Sequence, residues 1–208
     1  TNPQRQHGGD VISRITFANE DSNNIYKLQR EIIECLNEII AGLCQKAKVS
    51  YEHIYFTTMV GNTCMHHLFL GLNPKQLAIA PYVPVIQRSI NVKPEEIGLT
   101  MNTQGLIHVL PNIAGFVGAD TVGVILATDL EQADLPTLAI DLGTNGEIVL
   151  NSGEKIVACS TAAGPAFEGA QIAFGMRAAE GAIEKVAIED QSCKLLEMGK
   201  LKVFAALG

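Results

Sequence analysis

Residues 138–150 read LAIDLGTNGEIVL, two apolar runs around a polar, glycine-spaced centre that holds Asp141 and Glu147. Asn-Gly is the chemistry of a tight antiparallel turn, so the spacing predicts strands over 137–142 and 146–150 joined at the tip. A second turn, NSG at 151–153, leads into a third predicted strand over 155–159 and completes a β-meander.

The hairpin admits two readings. One is a plain turn, since Asp before a turn and a TNG tip are common for reasons of local hydrogen bonding alone. The other is a loop that holds phosphate. For that chemistry Asp141, at the end of the first strand, supplies a hard carboxylate for a metal ion, directly or through water. Gly143 lets backbone amides approach phosphate oxygens, Thr144 and Asn145 add a hydroxyl and an amide, and Gly146 allows a positive φ. Glu147 starts the returning strand, where it either holds metal or orients an attacking water.

The stretch CSTAAGPAFEGA at 159–170 strengthens the second reading. It sets Ser160, Thr161, Gly164 and Pro165 directly after the third strand. A helix beginning near Pro165 would aim free amides and its positive dipole end at the same mouth, with Glu168 complementing that end. A flexible glycine-alanine loop is the competing account, but two such loops at one edge of one sheet favour a site. A further helix is expected after Met176.

Upstream the period changes. Over 25–47, Ile25, Leu28, Ile32, Leu36, Ile39 and Leu43 recur at intervals of three and four, which predicts a long amphipathic helix with Ser22 or Asn23 near its start. A shorter helix is expected over 9–18. HIYFTTMV (53–60) is β-branched and aromatic and predicts a strand; CMHHLFLG (64–71) predicts a helix ended by Gly71 and barred by Pro74. Residues 73–105 carry four prolines and form an irregular excursion with one strand near Val85–Val92. LIHVL (106–110) predicts a strand and DTVGVILATDL (120–130) a helix. The acidic EQADLP (131–136) reads as a linker, so one part spans 1–133 and the other 134–208. Strand–helix alternation followed by a meander and a helix makes the chain α/β.

The bulk numbers remove some functions. Of 208 residues 47% are hydrophobic and 18% charged, with a net charge of −7. No basic stripe is present to release counterions from a nucleic acid, and an anionic membrane surface is no better served. The apolar span 105–128 contains His108, Pro111 and Asp120, which a membrane helix would not place there. The five cysteines form no CxxC pair and read as reduced thiols of a cytoplasmic protein. TCMHH (63–67) offers potential metal ligands, but no second cluster accompanies it, and a packed helix start is the simpler reading. With neither a signal-peptide pattern nor an initiator Met, the chain reads as a piece of something longer.

AIDLGTNGEIVL (139–150) followed by CSTAAGPAFEGAQI (159–172) resembles the second phosphate-binding region of the actin, sugar-kinase and heat-shock-chaperone ATPase superfamily. With NPQRQHGGDVISRI (2–15), VGNTCMHHLFLGLNP (60–74) and PNIAGFVGAD (111–120), the chain is similar to the reductive activases of corrinoid proteins along most of its length. The resemblance implies an actin-like ATPase with ribonuclease-H-like lobes, present here in part. Residues 1–133 would form the first lobe without its first phosphate hairpin, and 134–208 the start of the second. ATP and Mg2+ would lie in the cleft, and a 2Fe–2S cluster would lie in a separate N-terminal domain, because these residues lack its four-cysteine motif. A glycine-rich adenine-binding segment would follow residue 208.

The implied partner is a Co(II) corrinoid protein, reduced to Co(I) with ATP hydrolysis; a homodimer is left open. Asp141 would bind Mg2+, while Gly143, Thr144, Asn145 and Gly146 cradle the β- and γ-phosphates and Glu147 positions water. Gly164 and Pro165 would shape the second loop. Ser160 and Thr161 would touch phosphate or offer a hydroxyl oxygen to the partner's cobalt. Asp10 and Asn62 either face the cleft or cap helices. Two alternatives stay open: a small-molecule kinase of the same superfamily, and a non-catalytic module that docks a corrinoid protein.

Overall fold

The computed structural model describes residues 2–143, 145–162, 181, 183–189 and 192–197, the last two stretches as backbone. These divide into two compact units, one drawn from Thr1–Ala139 and Ile148–Cys159, the other from Ile140–Glu147 and Ser160–Gly208.

The first unit opens with two helices, α1 (Val11–Glu20) and α2 (Ser22–Ala47). Asp10 starts α1 through a reciprocal cap: its carboxylate accepts from Ser13 N at 2.8 Å, and its own amide donates to Ser13 Oγ at 3.2 Å. Asp21, rather than Ser22 or Asn23, caps α2 by accepting from Asn23 N at 2.8 Å. The segment ahead of α1 is fastened to α2. Gln4, fully buried, donates from Nε2 to the Leu28 carbonyl at 2.8 Å, and His7 Nε2 lies 2.8 Å from Glu31 Oε1.

A three-stranded sheet follows, built from β1 (Phe56–Met59), β2 (Ile90–Val92) and β3 (Leu106–Val109) in the order β1-β3-β2. β1 runs parallel to the central β3, with Phe56 opposite Leu106, and β2 runs antiparallel to it, with Ile90 opposite Val109. Ile107 and Val109 of β3 share a core cluster with Ile33, Phe69, Leu99 and Met101, against which Leu36 and Ile40 of α2 also pack. A second cluster joins Ile15, Ile25, Leu28, Cys64, Leu68 and Leu77. Each fully buried aliphatic side chain here, Ile107 among them, contributes about 1.5–3 kcal/mol relative to exposure.

The buried stripe of α2 differs from the predicted one in its second half. Ile33 is 5% exposed and Ile40 packs against the core, whereas Ile39 and Leu43 stand 51% and 60% exposed. Intervals of three and four allow two adjacent stripes on a helix, and the sheet beneath selects one of them.

Helix α3 (Thr63–Phe69) follows β1, α4 (Pro94–Ile97) is a single turn closed by Gly98 at φ +86°, and α5 (Ala119–Ala127) follows β3. The strand expected near 85–92 is confined to β2, since Pro84 and the turns around it leave only the last three residues for pairing.

The meander is present as β4 (Thr137–Leu142), β5 (Asn145–Asn151) and β6 (Ile156–Ala162), ordered β4-β5-β6. Two residues separate β4 from β5, a connection that joins only antiparallel strands. The Asn-Ser-Gly turn behaves as its residues predict. Ser152 N donates to the Lys155 carbonyl at 3.0 Å, Gly153 N donates to Asn151 Oδ1 at 2.8 Å, and Gly153 takes φ +87°. Asn151, 4% exposed, also donates from Nδ2 to the Leu130 carbonyl at 2.7 Å.

Two more strands, β7 (Ile183–Glu189) and β8 (Ser192–Glu197), pair antiparallel with Glu189 opposite Ser192. The helix expected after Met176 is corrected over these two stretches, and residues 177–180 lie outside the described residues. Ile183, Val186 and Ile188 are β-branched residues that favour a strand, and the two runs are close enough for a hairpin.

Candidate functional site

The first hairpin brings five of the expected residues together, Asp141, Gly143, Asn145, Gly146 and Glu147. Residues 139–142 on β4 are an apolar run interrupted by Asp141, whose side chain is exposed. The turn is closed by Gly143 N, which donates to the Asn145 carbonyl at 2.9 Å. That bond commits the amide expected to approach a phosphate. Gly146 is buried, and its φ lies outside the positive region, so its expected conformational role is corrected. A Cβ there would meet Thr161 Cγ2 at 3.4 Å, an ordinary contact. On the neighbouring strand Ser160 Oγ donates to Glu147 Oε1 at 3.0 Å. Glu147 and Ser160 are half-buried, while Thr161 is exposed.

Thr144, Gly164 and Pro165 lie outside the described residues, and so does the helix expected near Pro165. The described groups that suit a metal-bound phosphate are the exposed carboxylate of Asp141 and a second carboxylate, that of Glu147, held by a hydroxyl.

Asp10 and Asn62 are capping residues. Asp10 caps α1 as described, and its hydrogen bonds from Ser13 hold its carboxyl below the usual range. Asn62 Oδ1 accepts from Met65 N at 2.9 Å and starts α3.

TCMHH packs as a helix start. Thr63, Cys64, His66 and His67 are all at most 3% exposed. His67 spans two segments: Nδ1 lies 2.6 Å from the Thr63 carbonyl, and Nε2 accepts from Val85 N at 2.9 Å. Among the described residues neither ring nitrogen of His66 has a hydrogen-bond partner. Burial, and then its neighbour His67, push its pKa down to about 4, against the pull of the Leu110 backbone. Burial pushes the Cys64 thiol up to about 12 despite the nearby Arg14 guanidinium, so this thiol is unreactive. Cys35, Cys44, Cys64 and Cys159 are free thiols.

Sequence reasoning missed two features. One is the pairing of Glu147 with Ser160. The other is a surface cavity of about 300 Å³ lined by Tyr51, Glu52, His53, Tyr55, Met101, Asn102 and Thr103. No described helix is long and apolar enough to cross a membrane.

Comparison with known proteins adds a frame to this geometry. Residues 1–133 match the family model of the RACo middle region, and residues 136–204 match that of the C-terminal domain of RACo, the ASKHA domain. The chain is 44% identical over 199 residues to the corrinoid activation enzyme RamQ of Eubacterium limosum, covering 96% of the chain and 33% of that protein. It is 29% identical over 202 residues to a Co(II) methylated amine-specific corrinoid protein reductase of Methanosarcina barkeri, covering 93% of the chain and 36% of that protein. Among solved structures, a reductive activator for corrinoid, iron-sulfur protein superposes with a TM-score of 0.82 at 40% identity, over 95% of this chain and 32% of that one. The chain thus spans about a third of the length of these relatives.

Proposed function

The chain belongs to the RACo family and carries part of its α/β actin-like ATPase fold, and on that premise we propose that it is part of an ATP-hydrolysing activator that returns Co(II) corrinoid proteins to Co(I). The names of its relatives support the class of partner. The carboxylate-flanked hairpin with its glycine tip is the observation that supports nucleotide chemistry in these residues.

In this proposal residues 1–133 and 134–208 contribute to two lobes. Asp141, exposed at the end of β4, holds Mg2+ directly or through water. Mg2+ supplies charge neutralisation at the phosphates when bound. The backbone at Gly143, Thr144, Asn145 and Gly146 lies against the phosphates, and Glu147 orients the hydrolytic water. Gly164 and Pro165 shape the second loop.

The redox step would add one electron to Co(II) while ATP is hydrolysed to ADP and phosphate, and a reduced 2Fe–2S cluster, held outside these residues, would supply the electron. Hydrolysis helps an uphill electron transfer only if nucleotide states bind two arrangements of the complex with different affinity.

The test is calorimetric titration of the intact protein with Mg-ATP, followed by optical detection of Co(I) in a Co(II) corrinoid protein. Saturable binding that weakens at least about tenfold in Asp141→Ala, with Co(I) formed only when ATP and a reductant are present, is the expected result. Binding that Asp141→Ala leaves untouched would remove Asp141 from the site, and an intact protein that neither binds Mg-ATP nor forms Co(I) would overturn the proposal.

A further inference from the structure

The hydroxyl of Ser160 has one proton, and its destination decides what the residue can do. Ser160 Oγ lies 3.0 Å from Glu147 Oε1 in donor geometry. The contact belongs to a register. Gly146 faces Thr161, with 3.4 Å between its missing Cβ and Thr161 Cγ2. Ser152 N bonds the Lys155 carbonyl across the turn between the two strands. Antiparallel pairing that sets Gly146 opposite Thr161 also sets Glu147 opposite Ser160, side chains on one face and within cross-strand reach.

A hydroxyl that gives its proton to a carboxylate can only accept from other groups. Phosphate oxygens at neutral pH are mainly acceptors too, so Ser160 in this state is a poor phosphate contact. It is well placed for a different task. A short, half-buried side chain on a strand holds one carboxylate oxygen of Glu147 and so restrains the carboxylate's orientation.

We propose that Ser160 is a positioning residue that holds the Glu147 carboxylate in orientation for the hydrolytic water. This rests on the nucleotide-hydrolysing function proposed above, and it stands in place of the contact to phosphate or to the partner's cobalt that the resemblance implies for Ser160. Threonine can substitute, because it carries the same hydroxyl and is at home on a strand. Alanine cannot.

The test compares the intact wild type with Ser160→Ala, Ser160→Thr, Glu147→Gln and the Glu147→Gln/Ser160→Ala double variant. For Ser160→Ala, kcat for ATP hydrolysis should fall about tenfold, the scale of a lost orienting contact, with KM and the calorimetric Kd for Mg-ATP changing less than about twofold. Ser160→Thr should recover most of the rate. The double variant should be no slower than Glu147→Gln, since two residues acting as a unit are not additive.

A second readout needs no nucleotide. In protein carrying 13C-carboxyl glutamate, the resonance that disappears in Glu147→Gln should shift in Ser160→Ala and return towards its wild-type position in Ser160→Thr. An unshifted resonance, an unchanged kcat in Ser160→Ala, or a Kd raised tenfold at constant kcat would each overturn the proposal, the last by restoring a direct phosphate contact. A wild type that turns over no ATP overturns this proposal together with the function it rests on. Turnover in the wild type that Ser160→Ala leaves unchanged overturns this one alone.

Discussion

A Cβ at residue 118 would stand 2.6 Å from Asn62 Cα and 2.7 Å from Thr63 N, so the residue before α5 and the start of α3 approach as closely as a missing side chain allows. Both obstacles are backbone and have no rotamer to change. Gly118→Ala should therefore lower the free energy of unfolding by about 1–3 kcal/mol, the usual cost of overpacking. Gly42, within α2, meets nothing within 4 Å, and Gly42→Ala should raise stability by about 0.5–1 kcal/mol through helix propensity. Urea unfolding of the two variants checks the pair, and opposite signs are required.

His66 carries a pH dependence of defined sign. Its folded pKa lies near 4, below the ordinary 6.5, so the unfolded chain binds the proton first. Its contribution to stability is complete above about pH 6.5 and is lost as pH falls towards 4, at a slope of up to about 1.4 kcal/mol per unit. Burial lowers the pKa of His67 in the same direction. The unfolding midpoint of the wild type relative to that of His66→Leu should fall as pH is lowered from 7 to 6 to 5. A constant gap would mean that His66 does not titrate in this window.

At the scale of elements, α2 separates what periodicity specifies from what it leaves open. Its existence and approximate length follow from apolar spacing, but spacing alone does not choose whether its second half turns Ile39 and Leu43 or Ile40 to the core, where Ile32, Ile33 and Leu36 already pack. That choice is made by Ile107 and Val109, far away in sequence. Ile39→Lys and Leu43→Lys should each change stability by less than about 0.5 kcal/mol, as surface substitutions do, while Ile33→Ala should cost about 2–5 kcal/mol. The reverse ranking in chemical unfolding would restore the stripe predicted from the sequence.

The meander was more legible, because short polar connections mark strand ends locally; only the Ser-Gly tip falls where its residues predict, since Asn145 and Gly146 lie in β5. The β7–β8 hairpin was not, because a glycine- and alanine-rich approach resembles a helical run until the β-branched alternation is weighed. The Glu147–Ser160 pair shows the limit at the candidate site. Both residues were recognisable as polar groups near a turn, but their partnership depends on cross-strand register.

For the whole molecule, ligand binding and folding stability are linked quantities, and the linkage sorts site residues from capping residues. A ligand that binds only the folded protein stabilises it by about 2.7 kcal/mol at one hundred times its Kd. Mg-ATP at that excess should raise the unfolding midpoint of the intact wild type, and Asp141→Ala should reduce the increment at the same concentration. Asp10→Ala and Asn62→Ala should behave differently. Each removes a side chain that holds a helix start through Ser13 N or Met65 N, so each should lower the baseline by about 1 kcal/mol. The increment produced by nucleotide should survive in both. The sequence left these residues between two roles because a cleft carboxylate and a capping carboxylate use the same atoms; hydrogen-bond geometry assigns them to the helices. If Asp10→Ala or Asn62→Ala abolished the nucleotide increment while leaving the baseline unchanged, that assignment would fail and the residue would belong to the nucleotide site.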